Sequence, residues 1–138
     1  MTDSAKTALT SCIEDAESSY EFMLAYAAQG RDSEGGGGPG LSIRDELSRL
    51  SNSLGEIEEK FRAAAQNTAV IDAERCETML SILAQDAIRA QAAVDLVLSL
   101  PSIGSQIVDN LNASIHLRTL LTTVFLIDEA LNSFQDKS

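Results

Sequence analysis

Tryptophan is absent from this chain, aromatic residues make up only 4% of it, proline occurs twice and histidine once. Each shortage excludes something. With so few aromatics, a core must be built from Leu, Ile, Val and Ala, which suits helices packed side by side better than a sandwich of strands. A single histidine, His116, rules out any mechanism that needs two from one chain. Ferritin-like di-iron bundles place Glu-x-x-His on each of two helices, and no Glu-x-x-His occurs here. The two cysteines, Cys12 and Cys76, form no Cys-x-x-Cys pair and no Cys/His grouping, so neither zinc nor another metal is expected, and no cofactor. Both read as small buried hydrophobes. Long apolar runs are also missing: the longest, residues 119–127, falls far short of the ~20 residues that span a bilayer. No membrane association is expected. Met1-Thr2-Asp3-Ser4 lacks the basic-then-apolar pattern of a secretory signal, which makes a cytoplasmic location the expectation.

Positive charge is scarce as well. Twenty-one carboxylates stand against 10 Lys plus Arg, a formal net charge of −11. Attraction to nucleic acid phosphates or anionic lipid is thereby disfavoured, whereas basic partners are allowed. The acid is spread along the chain instead of gathered in a tail, as expected of solvated helix faces. Glu14, Glu17 and Glu21 share one helical face, as do Glu56 and Glu59. Such groups flanking an apolar stripe read as hydrated surface. The basic residues Arg44, Arg49, Lys60 and Arg62 are interleaved with Asp45, Glu46, Glu56, Glu58 and Glu59, a surface laced with ion pairs of small individual worth.

What the chain does have is helical periodicity. Ile43, Leu47, Leu50, Leu54, Ile57, Phe61 and Ala64 step by four and three along one side of a helix. Ala73, Cys76, Leu80, Leu83, Ala87, Ala90, Val94 and Val97 do the same. A first helix carries Leu9, Ile13, Ala16, Tyr20, Leu24 and Ala27 inward, and a last one Ala113, Leu117, Leu120, Val124, Ile127, Leu131 and Phe134. The expected fold is an all-α antiparallel four-helix bundle in one domain, residues 1–138, with helices over about 4–29, 42–66, 69–99 and 102–134. Asp3 or Ser4 would cap the first, Ser42 with Asp45 the second, and Ser102 the fourth, just beyond Pro101. Gln66-Asn67-Thr68 marks the second break, Asn being tolerant of the left-handed conformation.

Between the first two helices lies Gly30-Arg31-Asp32-Ser33-Glu34-Gly35-Gly36-Gly37-Gly38-Pro39-Gly40, read as a flexible linker over 30–41. A phosphate-binding loop would need Lys and then Ser or Thr after its last Gly, and a strand before it. Leu41 and Ser42 follow instead.

The fourth helix has more apolar surface than one bundle position consumes. Leu121, Phe125, Leu126 and Ala130 widen its stripe, and Ile107, Val108, Leu111 and Ile115 form a patch rotated from it. The surplus suggests a homodimer or larger homo-oligomer, with Leu117, Leu121, Phe125, Ile127 and Leu131 as the interface.

Residues 113–122, Ala-Ser-Ile-His-Leu-Arg-Thr-Leu-Leu-Thr, resemble the phosphoacceptor box of sensor histidine kinases, Ser-His-Glu-Leu-Arg-Thr-Pro-Leu. Ile115 stands where the family has its phosphoacceptor, His116 where it has its acid, and Leu120 where it has proline. Histidine phosphotransfer bundles resemble the chain more closely in size, helical content and single His. That resemblance implies phosphotransfer through His116 with Arg118 neutralising the phosphoryl group, although the Lys and Gly that usually follow the His are missing. Nucleophilic catalysis has no comparable pattern, since Ser102-Ile103-Gly104-Ser105 lacks the second Gly of Gly-x-Ser-x-Gly.

The leading expectation is a non-enzymatic interaction module, an adaptor, small regulator or accessory protein that binds an unknown protein partner and no nucleic acid. A histidine phosphotransfer protein using His116 is the alternative. An acidic nucleic-acid-mimicking inhibitor, which needs two rows of carboxylates on one exposed face, is the third.

Overall fold

The computed structural model describes residues 2–34, 42–70 and 72–134, with the side chains of Thr2 and Asp3 left aside. It is all-helical: α1 spans Thr2–Ala28, α2 Ile43–Gln66, α3 Ala73–Leu98, α4 Ser105–Ala113 and α5 Ile115–Asn132. The expected count of four is therefore corrected to five among the described residues, because the fourth helix is broken at Ser114. Ser114 sits at φ −58° and ψ 132°, extended geometry that ends α4, and its hydroxyl accepts from the His116 N–H to open α5.

The second helix follows its sequence closely. Ser42 and Asp45 form a reciprocal capping box, the Asp45 N–H donating to the Ser42 hydroxyl at 3.1 Å and the Ser42 N–H to the Asp45 carboxylate at 3.4 Å. Ile43, Leu47, Leu50, Leu54, Ile57, Phe61 and Ala64 are all buried, which at about 2 kcal/mol for each large side chain makes α2 the spine of the core. Asn67 ends the helix at φ −97°, not in the left-handed region. Thr68 is buried and returns its hydroxyl to the Ala64 carbonyl at 2.9 Å. The third helix starts at Ala73, the first member of its stripe and four residues later than the expected bound of 69, where the Asp72 carboxylate accepts from the Arg75 N–H.

Helix α1 packs on α2, α2 on α3, α3 on α5, and α4 on α1. Cys12 bonds Ser53 and Ser19 bonds Glu46, so residue numbers rise along α1 as they fall along α2. Ser51 with Asp95 and Arg62 with Glu77 show the same for α2 and α3. Thr123 on α5 donates to the buried Asp86 of α3 at 2.8 Å.

The segment expected to begin a flexible linker is tied down in its described part. Gly30 turns the chain at φ +66°, and Arg31 then exchanges two bonds with Ser105, each of 2.8 Å. Ser105 Oγ donates to the Tyr26 carbonyl at 2.7 Å, and the Tyr26 hydroxyl donates to the Ile103 carbonyl at 2.6 Å. Glu34 accepts two bonds from Arg44, whose guanidinium also donates to the carbonyls of Leu98 and Leu100. This latch explains why α4 begins at Ser105 instead of at Ser102. A Cβ on Gly104 would lie 2.8 Å from the Asp32 carbonyl oxygen, so only glycine permits the approach. Residues 35–41, with the four glycines, lie outside the described residues.

No helix among the described residues is long and apolar enough to cross a membrane.

Candidate functional site

The break at Ser114 decides what α5 shows to solvent. With α4 held on α1 by the latch, α5 packs chiefly on α3. Leu117, Leu120, Val124, Ile127 and Leu131 fill the core. Of the five residues expected at an interface, Leu117, Ile127 and Leu131 thus lie inside the chain's own core, Leu121 is half-buried against it, and Phe125 is 46% exposed. Their burial follows from the stripe itself: the periodicity that marked them as apolar is the periodicity of the inward face.

Two other sets of side chains remain outside. Ile115, Thr119, Thr122 and Leu126 step four, three and four along the outer side of α5 and are all exposed, Ile115 at 72% and Leu126 at 59%. On α3, Ile88, Ala92 and Leu96 are likewise exposed. Between the lower ends of these helices, Val70, Cys76, Met79, Leu126, Ala130 and Phe134 contribute to an apolar groove of about 280 Å³. A neighbouring cleft of about 450 Å³ shares Val70 and Cys76 and is edged by Arg62 and Glu77.

On the opposite edge of α5, Leu121 and Phe125 close an apolar crevice against Ile13, Ala16 and Glu17 of α1, over Ser53, Leu54 and Ile57 of α2. Glu17 stands at its rim between Glu14 and Glu21, all three exposed. None of the three has an ion-pair or hydrogen-bond partner among the described residues. Some carboxylates elsewhere are paired. Glu58 and Glu77 both bind Arg62, at 2.7 and 2.6 Å, and the Arg62 hydrogen bond holds the Glu77 carboxyl below its ordinary range. Glu46, expected on a solvated face, is buried against Ser19, with Arg49 at 3.7 Å.

His116 is exposed, and not partly buried as an isolated His on an apolar helix suggests. It lines an open cleft of about 270 Å³ with Ile115 and Thr119 of α5 and Asp86 and Arg89 of α3. Asp86, which sequence reasoning passed over, interleaves the α3 stripe between Leu83 and Ala90 and is anchored by Thr123, with Arg89 at 3.7 Å. A carboxylate on an apolar stripe was the signal that could have found it.

The two thiols are free. Burial pushes the Cys12 thiol up to about 11, with Glu56 adding to the effect, and burial also raises Cys76, which is only half-buried. Neither is an activated nucleophile. Among the described residues no three His, Cys, Asp or Glu side chains are grouped so as to hold a metal ion. No family model, curated protein or solved structure matches this chain.

Proposed function

We propose that this chain is a non-enzymatic helical interaction module, with α4 and α5 together forming the broken fourth member of an antiparallel bundle. The observation that carries the reading is the surplus on α5. After giving five large apolar side chains to the core, the helix still holds Ile115, Phe125 and Leu126 in water. Large apolar side chains left exposed on a helix that already supplies the core mark a contact surface. The uncharged line from Ile115 to Leu126 suits a second copy of the chain, since like-charge repulsion between two acidic protomers is least there. Two free thiols and the acidic surface are in keeping with a cytoplasmic adaptor or accessory protein.

Light scattering on the wild-type chain and on Leu126→Glu tests this reading. A dimer or larger assembly that becomes a helical monomer supports it. A variant that loses its helicity places Leu126 in the protomer core and removes the surface on which the reading rests.

Histidine phosphotransfer is kept as a second reading because His116 is exposed and shares its cleft with Arg89, a cation that would neutralise a phosphoryl group. It predicts an acid-labile label acquired from a phosphorylated receiver and abolished in His116→Gln. Absence of label in the wild type ends it.

A further inference from the structure

The edge where α1 and α5 line a common crevice differs from the uncharged outer line of α5: α1 brings Glu14, Glu17 and Glu21 to it, against the exposed cation Arg118 that precedes Leu121 by about one turn of α5. Phe125 caps the crevice between α1 and α5 with nearly half its surface in water, beside Glu17. Along α1, Glu14, Glu17, Glu21 and Leu24 step three, four and three and so form one ridge, ending in a Leu24 that is 47% exposed. Leu24 lies two turns, or about 10 Å, from Glu17 along the helix. Phe125 and Leu24 are thus two apolar knobs separated by a run of carboxylates.

Carboxylates three and four residues apart on one helix repel one another by a few tenths of a kcal/mol per pair. Elsewhere in this protein Glu34 is paired with Arg44, and Glu58 and Glu77 share Arg62. Among the described residues the α1 ridge has no such partner, nor do Glu56 and Glu59 of α2, but only the ridge lies beside exposed apolar side chains. A second copy would set ridge against ridge and worsen the repulsion, whereas a basic partner would relieve it.

We propose that the α1–α5 edge is the docking surface for a basic amphipathic helix of another protein. Two apolar side chains of that helix, about seven residues apart, cover Phe125 and Leu24. Its Lys and Arg side chains meet Glu14, Glu17 and Glu21. This is helix recognition by anchors at i and i+7, with charge setting polarity and selectivity. The inference rests on the interaction-module reading and assigns that module's partner and a second face.

The test uses a labelled helical peptide of about five turns with Leu at i and i+7 and Lys on its other faces. A control peptide keeps the Leu and carries Glu in place of Lys. Binding is followed by fluorescence anisotropy at low and high salt. Expected is binding of the Lys peptide only, weakened about tenfold by Phe125→Ala and by the pair Glu17→Gln/Glu21→Gln, and unchanged by the remote pair Glu74→Gln/Asp95→Asn on α3. Circular dichroism confirms that each variant stays folded. Equal weakening by the remote pair would reduce the effect to diffuse electrostatics and overturn the proposal. So would an undiminished affinity in Phe125→Ala. A homo-oligomer dispersed by Phe125→Ala would give the surface to a second copy and also overturn it. Failure of the Lys peptide beside an oligomer that Leu126→Glu still disperses rejects this docking site and leaves the module reading standing.

Discussion

Helices α2 and α5 are both built on a four-three apolar stripe, yet they differ in what lies beyond it. In α2 the stripe is spent completely: each of its seven members is buried, and the remaining faces carry ion pairs such as Arg62 with Glu58 and Glu77. In α5 the stripe fills the core equally well, but Ile115, Phe125 and Leu126 remain outside, with Thr119 and Thr122 on the line between Ile115 and Leu126. An apolar stripe therefore reports a fold, and only the apolar residues left over after the stripe is subtracted report a contact surface.

The largest effect that would sharpen the contrast comes from removing an aromatic ring from each helix. Phe61→Ala in α2 should cost about 3–5 kcal/mol, since the ring is wholly buried, while Phe125→Ala in α5 should cost less than about 1 kcal/mol. Urea denaturation of both variants measures the difference. Similar losses would erase the distinction between the two helices.

The latch that separates α4 from α5 is tested next. Tyr26→Phe removes a buried 2.6 Å hydrogen bond and leaves the Ile103 carbonyl without that donor, at a cost of about 1–3 kcal/mol in thermal or chemical unfolding. Gly104→Ala should cost a similar amount, about 1–3 kcal/mol, because the added methyl group meets backbone oxygens. If either variant is neutral, the latch does not hold α4 to α1.

A smaller effect is expected at Asp128. Burial raises its carboxyl above the ordinary range, so the folded chain binds this proton more readily than the unfolded chain does. The charged form therefore opposes folding above the folded-state pKa, and the penalty is gone below the ordinary aspartate pKa. Asp128→Asn should raise the thermal midpoint at neutral pH and lose that advantage in acid. An advantage independent of pH would contradict the assignment. Smallest of all, Arg62→Met should cost under about 1 kcal/mol, its partners Glu58 and Glu77 being largely solvated.

Much of the helical content was legible because periodicity is a local property. The capping box at Ser42 and Asp45 and the end of α3 ahead of Pro101 needed nothing from the rest of the chain. The break at Ser114 was not legible: no Gly or Pro marks it, and the stripe runs straight through it. What holds α4 is distant in sequence, since the latch at Tyr26, Arg31 and Ser105 and the bond from Asn112 to the Met23 carbonyl fix it on α1. Asn112 Oδ1 is buried and has no hydrogen-bond partner among the described residues, a cost that sequence periodicity cannot register. The candidate surface was half legible. Apolar surplus on the last helix could be counted, but which members it comprised depended on where α5 leans, and that set Phe125 outside and Leu117, Ile127 and Leu131 inside.

The most direct test of the α5 surface is the solution mass and thermal midpoint of Ile115→Glu/Leu126→Glu beside the wild type. An oligomeric wild type and a monomeric variant with an unchanged midpoint would agree with side chains that serve contact and not folding. A variant that unfolds, or a mass that does not change, would contradict self-association through the outer line of α5.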